Sequence, residues 1–415
     1  MKSKVFKYAV LFFTLISPFL ASAQIKISGE IRPRSEFRNG FKTPILESQD
    51  PAFFTEQRTR LNLDYENEKF FAKISVQDVR IWGAVDQVYK TDPSLFNLHE
   101  GYAGYKFSSS SAIRVGRMEL DYDNARFLGN LGWAQQSRSH DLALFTYSGK
   151  SLKFHLGAAF NQDANTPEFK KVVSTYYSGV NNYKAMQFAW LHKDWKNVSS
   201  SLLILNNGVQ TGTSDDSSTK FSQTFGTFNT LKGKKLGGTV EAYYQTGDNL
   251  AAYLLAGSIQ YKGIKDLPLT LGVDYLSGTK AGDSKNTSFN PMYGTNHKFY
   301  GFMDYFYVGN AHGNVGLTDI YLNTKVKLSS KSALLVFAHQ FSAAVEVPDM
   351  SKNLGTEIDL VFNKNIAPAV NLKAGYSQMF ASDTMYAIKG KTPQDKGNCW
   401  GWVMLTFSPV FFSSK

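Results

Sequence analysis

All ten arginines of this 415-residue chain fall in its first third: Arg32, Arg34, Arg38, Arg58, Arg60, Arg80, Arg114, Arg117, Arg126 and Arg138. Lysines continue to the C-terminus. A guanidinium stays charged and presents a planar fork of donors that fits a carboxylate. Two pairs, Arg32 with Arg34 and Arg58 with Arg60, have the i, i+2 spacing that places both side chains on one face of a strand. The chemistry this offers is anion recognition. Glu30, Glu36, Asp64, Asp78 and Glu100 lie on or near the same wall. Two arrangements are therefore open: structural ion pairs that brace an interior, or a cationic track with some arginines left for a passing anion.

Other chemistry is thinly represented. The seven histidines (99, 140, 155, 192, 297, 312 and 339) form no i, i+4 pair and no metal-ligand spacing. There is no Gly-x-Ser-x-Gly elbow and no Walker loop. Cys399 is the single cysteine, so no intramolecular disulfide is available. Asp215-Asp216 reads as a solvated loop before it reads as a cation site. No enzyme, cofactor or metal centre is expected; an enzyme site assembled across strands would leave little linear trace.

The elements that must position the arginines announce themselves by period. Three lysines precede an apolar run from Ala9 to Leu20, followed by Ala21-Ser22-Ala23. This is the form of a cleavable secretory signal over residues 1–23. A mature chain starting near Gln24 loses three lysines and no acids, which takes the formal charge from +11 to +8. Export makes nucleic acid an unexpected partner and leaves lipid and anionic solutes. After the leader no stretch is apolar for the roughly 18 residues a spanning helix needs. Instead a two-residue alternation recurs. From Ile25 to Phe37, Ile25, Ile27, Ile31 and Phe37 share one face, and Lys26, Glu30, Arg32, Arg34 and Glu36 the other. Leu61, Leu63 and Tyr65 repeat it, as do Leu236–Tyr244, Ile320–Leu328 and Leu354–Phe362. A phase change near Gln77-Asp78 reads as a β-bulge.

Short connectors (66–69, 108–111, 148–151, 193–197, 232–235, 262–267, 329–331 and 364–368) alternate with mostly longer ones (39–53, 83–94, 121–138, 162–182, 208–219, 246–249, 278–313, 344–352 and 382–397). Short periplasmic turns and longer outer loops describe an outer-membrane barrel. The expected fold is all-β, a transmembrane antiparallel up-and-down β-barrel of about 18 strands over residues 24–415, with 16 as the alternative. Val403, Leu405 and Phe407 mark the lipid face of a closing strand that ends near Pro409. Turned outward, Arg32, Arg34, Arg58 and Arg60 would each cost about 2–4 kcal/mol near the bilayer midplane, so the phase puts them in the lumen. Arg80 and Arg114 extend the patch.

The segment 114–141 carries Gly-Arg-x-Glu-Leu, then Arg126-Phe-Leu-Gly, then Trp133 with Arg138 and Asp141. It resembles the alginate-export family of outer-membrane porins, in the style of its Bacteroidetes members. Tyr244-Gln245-Thr246-Gly247, Tyr275-Leu276-Ser277-Gly278 and the run from Asn296 to Phe306 also look like that family. The resemblance implies an eighteen-stranded barrel whose arginine-lined lumen passes an anionic uronic-acid polymer. It makes Arg117, Arg126, Arg138 and Asp141 lumen or constriction candidates, or alternatively residues that fix a loop. It also implies periplasmic export partners. The chain is shorter than characterised alginate exporters, and its arginines do not map a full constriction ring.

The longest loop, 278–313, holds His297, Phe299, Tyr300, Asp304, Tyr305 and Tyr307. So aromatic a loop either folds into the barrel as a constriction, caps its mouth, or stacks on sugar rings. The expected function is passive passage of an anionic oligo- or polysaccharide through the outer membrane. The rivals are a general porin and a barrel-type enzyme or adhesion scaffold. If the barrel reading holds, the mature protein in detergent migrates differently on gels before and after boiling, and its far-ultraviolet spectrum is dominated by β-structure. A helix-dominated spectrum contradicts the fold.

Overall fold

The computed structural model describes residues 23–88, 96–163, 175–177, 179, 182–213, 216–306 and 314–414. Residues 1–22 of the leader, Asp215 and Tyr307 lie outside them. The strands are β1 (Gln24–Asn39), β2 (Ala52–Glu66), β3 (Phe70–Ile81), β4 (Phe96–Lys106), β5 (Ser111–Met118), β6 (His140–Ser148), β7 (Leu152–Phe160), β8 (Ala185–Asp194) and β9 (Val198–Gly212). They continue with β10 (Ser217–Lys232), β11 (Leu236–Gly247), β12 (Leu250–Tyr261), β13 (Leu269–Leu276), β14 (Leu317–Lys327), β15 (Ser332–Ser342), β16 (Asn353–Ala367), β17 (Val370–Ala381), β18 (Asn398–Phe407) and β19 (Val410–Ser413). Each of β1 to β18 pairs antiparallel with its neighbour in sequence, and β1 closes the ring on β18 and β19. β19 continues the path of β18 past a break, so the barrel has 18 spans. Among the described residues, helix is limited to a 3-10 turn at Asn296–Lys298 and a short helix α1, Asp383–Ile388. No described helix is long and apolar enough to cross a membrane.

The alternation read from the sequence is the alternation of the wall. On β1, Ile31 and Phe37 are 47% and 41% exposed on the outside, whereas Arg32, Arg34 and Glu36 are 7%, 3% and 0% exposed inside. Leu61, Val240, Ile320, Leu322 and Val403 are likewise exposed on the outer surface. This apolar belt is what a lipid-facing barrel requires, and closure pairs every span on both sides, as lipid demands.

Four local expectations are corrected. The bulge of the third strand lies between Ser75 and Val76, where β4 carries the extra residue, because Ser75 pairs with Glu100 and Val76 with Leu98. The bulge turns both His99 and Glu100 inward. Leu354 does not share the lipid face with Ile358: a register shift at Phe341/Ser342 places it fully inside. The connector expected at 208–219 is a tight hairpin, with Gly212 paired to Ser217 and the Thr213 N–H donating to the Asp216 carbonyl at 3.0 Å. Pro409 interrupts the last span rather than ending it, and its carbonyl accepts from the Gly29 N–H at 3.0 Å. A proline has no N–H for the ladder, and the shift between Ile27 and Ser28 accommodates it.

The lumen is not uniformly polar. On β9, Leu202 and Ile204 are 54% and 53% exposed outside, yet Leu203 and Leu205 inside are 5% and 0%. Together with Leu142, Leu144, Met186, Phe188 and Trp190 they make an apolar inner wall on β6 to β9. Glu241, Asp274, Asp319, Glu357 and Asp359, all buried, make an acidic wall from β11 to β16. The arginines of β1 and β2 form a third, basic wall.

Candidate functional site

The basic wall is assembled by register. In the β1–β2 ladder Arg32 stands opposite Arg58, Glu30 opposite Arg60, and Arg34 opposite Glu56. Such like-charge adjacency needs oxygen partners. Part of the need is met by carboxylates: Arg34 Nε donates to Glu36 at 2.8 Å, another of its nitrogens reaches Glu56, and Arg58 Nε donates to Glu30 at 2.7 Å. The remainder is met by the loop between β5 and β6, residues 119–139, which folds into the barrel.

Five consecutive carbonyls of that loop are taken by the wall. Arg32 donates to the carbonyls of Gly132 (2.8 Å), Trp133 (3.3 Å) and Ala134 (3.1 Å) and to Gln135 Oε1 (3.1 Å). Arg34 adds a 2.8 Å bond to the Trp133 carbonyl. Arg58 reaches the Gln135 carbonyl at 3.3 Å and Ser137 Oγ at 2.7 Å. Gln77 donates to the Gln136 carbonyl at 2.8 Å, while Arg60 donates to Gln77 at 2.7 Å. These carbonyls have no strand partner; guanidinium forks satisfy those of residues 132–135 and the Gln77 amide that of Gln136. Arg32 and Arg60 differ from Arg34 and Arg58 in their compensation: the nearest carboxylates are Glu30, 3.9 Å from Arg32, and Glu119, 3.7 Å from Arg60.

The same loop meets the other two walls. Met118, Leu120, Tyr122, Phe127 and Leu128 pack into the apolar cluster. Arg126 crosses to the acidic wall and is 2% exposed. It donates to Glu241 through Nε (3.1 Å) and Nη2 (2.8 Å), and to Asp274 at 2.7 Å and Tyr300 Oη at 2.9 Å through Nη1. The Phe299 ring lies 3.8 Å from its guanidinium carbon. Burial disfavours its charge, but Asp274 and Glu241 more than offset that and hold Arg126 above its ordinary pKa.

The long loop after β13 also lies inside the barrel over residues 286–306. Phe289, Tyr300, Met303, Tyr305 and Phe306 are buried. Its backbone is stitched to the first loop: the Gly129 N–H donates to the Tyr293 carbonyl (2.9 Å) and the Thr295 N–H to the Ala125 carbonyl (2.8 Å). Arg138 donates to the Tyr293 and Gly294 carbonyls. Over the acidic wall the Met303 N–H donates to Glu357 at 2.8 Å. Gly301 sits at φ +81°, where an added Cβ would lie 2.6 Å from the Glu357 carboxylate, so the close approach requires glycine. Tyr305 Oη donates to the Gly40 carbonyl at 2.8 Å. His297 shares a 2.8 Å bond with Asp304 and stacks on Trp133 at 4.8 Å.

The remaining candidates are dispersed. Arg80 forks onto Asp78 at 2.6 and 2.5 Å, and no contact ties it to the loop-bound arginines. Arg114 lies 5.7 Å from the Tyr102 ring. Arg117 and Asp141 are a directly opposed pair on β5 and β6, joined through two bonds of 2.8 and 2.6 Å. With Arg138 they line a polar cavity of about 780 Å³ beside His140, Tyr183 and Tyr293. Sequence reasoning missed the acidic wall as a unit, although Glu241, Asp319, Glu357 and Asp359 each stand in the non-lipid phase of their strands. It also missed Trp400 and Trp402, inner-face residues of β18 whose indoles meet Trp133 edge-on at 5.8 and 4.6 Å.

Buried as it is, the Arg126 network makes a stability prediction. Arg126→Met leaves Glu241 and Asp274 without a counter-charge and lowers unfolding stability by about 3–5 kcal/mol. Arg126→Met with Glu241→Gln and Asp274→Asn recovers much of that loss. The urea midpoint of the gel-mobility shift measures both, and an unchanged midpoint in the single variant contradicts the assignment.

No family model matches this chain, and no curated protein matches it either. Solved structures do. The chain superposes on OccAB4 of Acinetobacter baumannii with a TM-score of 0.64 at 11% identity, covering 94% of this chain and 99% of that one. For OccK11 (OpdR) of Pseudomonas aeruginosa the TM-score is 0.61 at 10% identity, covering 94% and 96%. For OpdK of Pseudomonas aeruginosa with vanillate it is 0.57 at 10%, covering 93% and 99%. At such identities the likeness is one of fold: this chain shares the 18-strand barrel of these proteins.

Proposed function

We propose that this chain is an outer-membrane channel that passes anionic solutes, an alginate-like oligo- or polysaccharide foremost, by passive diffusion. The closed barrel with its apolar belt supports the membrane setting. The shared fold supports the channel reading, since OpdK is an outer-membrane protein and was crystallised with vanillate, a carboxylate. The resemblance of segment 114–141 to the alginate-export family supports a uronate as the solute.

One observation carries the sign of the charge. The acidic wall is covered by Arg126 and by the long loop, whereas cations outnumber carboxylates in the lining of two lumen cavities. One cavity, of about 190 Å³, has Arg34, Arg38 and Lys42 against Glu56 and Asp304; the other, of about 400 Å³, has Lys298 and Lys373 against Asp121. Between low-dielectric walls a local excess of one sign focuses its field on the passing ion. Many exchangeable contacts along the path let an anion enter and still leave.

In planar bilayers the wild-type reversal potential under a KCl gradient lies on the anion side. The selectivity weakens as the screening length falls from roughly 10 Å at 0.1 M to roughly 3 Å at 1 M salt. Oligouronates block the current, and neutral oligosaccharides of equal length block it less. Replacing Arg32, Arg34, Arg58 and Arg60 by Gln moves the reversal potential toward cations. A cation-selective wild type, or equal block by both sugars, overturns the anionic assignment and leaves a general porin.

A further inference from the structure

Trp133 and His297 belong to both lumen cavities. The smaller cavity reaches Phe41 and Lys42, in the loop that joins β1 to β2, and so faces the long-loop end of the barrel. The larger one reaches Leu335, Val361 and Lys373, near the short-turn ends of β15, β16 and β17. The two chambers thus lie on opposite sides of one aromatic partition. Trp133 stacks on His297 with an interplanar angle of 17°, and β18 closes the side through Trp402 at 4.6 Å and Trp400 at 5.8 Å. His297 is fixed by its 2.8 Å bond to Asp304.

Trp133 itself is held in place from behind. Its carbonyl accepts from Arg32 and Arg34, and the carbonyls on either side accept from Arg32. The Arg34 guanidinium carbon is 4.0 Å from the Trp133 ring centroid. No strand ladder runs through residues 132–136. The backbone that carries Trp133 to His297 is therefore held by guanidinium bonds to neutral oxygens, while its ring rests on His297, Trp400 and Trp402.

We infer that the Trp133–His297 pair is the gate between the two chambers, and that a permeant carboxylate opens it by taking the Arg32 and Arg34 donors from the carbonyls of residues 132–134. The inference rests on the proposed passage of anions. The exchange runs in the required direction: a bond from a guanidinium to a carboxylate is roughly twice as strong as a neutral pair and fits the fork bidentately. Arg32 is the natural first contact, because its nearest carboxylate is 3.9 Å away and its four hydrogen bonds all go to neutral acceptors. Once released, segment 132–134 keeps only the Arg34–Trp133 ring contact as a tie to β1 among the described residues, a contact that engagement of Arg34 by the carboxylate weakens, and Trp133 swings from His297. A neutral sugar cannot make the exchange. The partition therefore selects for negative charge before any ring enters the larger, tryptophan-lined chamber.

The test uses the full-length protein in detergent with Cys399→Ser and a reporter cysteine, Ala134→Cys, whose modification by a neutral maleimide is timed. Ala134 contributes only its backbone carbonyl to Arg32, so the reporter leaves the guanidinium contacts in place. A trimeric galacturonate should accelerate modification several-fold, and maltotriose should not. In bilayers Trp133→Ala should raise the conductance several-fold without added uronate. Modification that ignores galacturonate, in a wild type that is nonetheless anion-selective, overturns the gate and leaves the channel reading standing. Equal acceleration by both sugars overturns the charge-triggered opening. A wild type and Trp133→Ala that both fail to conduct overturn the channel reading and the gate with it.

Discussion

A guanidinium turned into a barrel must find oxygen for its donors, and a loop drawn into the same lumen must find donors for its carbonyls. Here each need meets the other. The alternation of β1 and β2 brings Arg32, Arg34, Arg58 and Arg60 inside, and the wall's own glutamates satisfy only part of their demand. The carbonyls of residues 132–135 supply the rest. Once that segment is fixed, the remainder of the loop is placed. Its apolar residues fall on the β6–β9 wall, Arg126 falls on Glu241 and Asp274, and its backbone receives the long aromatic loop.

Three walls of different character make this arrangement specific. Burying Leu120, Phe127 and Leu128 contributes about 1.5–3 kcal/mol for each large side chain against water. It does not dictate orientation. Orientation comes from the two charged anchors, basic at residues 132–137 and acidic at Arg126, which pull the loop toward opposite sides. Of the two arrangements that the sequence left open, the structure shows the brace: the arginines are held by glutamates and by neutral carbonyls. The proposed track for anions draws on the second set.

Strand phase was the legible part, because a period of two survives in any local window. It placed Arg32, Arg34, Arg58 and Arg60 inside, and it set 18 spans by the alternation of connectors. It was blind where both phases are apolar, as at Leu202-Leu203-Ile204-Leu205, so the apolar inner wall was not visible. It also failed where a single residue shifts the ladder, as at His99 and Leu354. Partners were beyond reach for a different reason. Arg126 meets Glu241 and Asp274 across 115 and 148 residues, through a loop whose path depends on the finished barrel. The pairing of β9 with β10 out to Gly212 and Ser217 was hidden because the Ser, Thr and Asp residues around it look like a long loop.

The central claim is that guanidinium bonds, rather than packing alone, hold segment 129–138 inside the lumen. Hydrogen exchange of that segment, read peptide by peptide in the wild type and in Arg32→Gln/Arg34→Gln, tests it most directly. The amides of Gly129, Leu131, Gly132 and Arg138 all have acceptors in the folded loop. The account predicts that they lose protection in the variant while the β1 and β2 ladders keep theirs. Unchanged protection of the segment, in a variant whose barrel is intact, would show that packing alone positions the loop and would contradict the account.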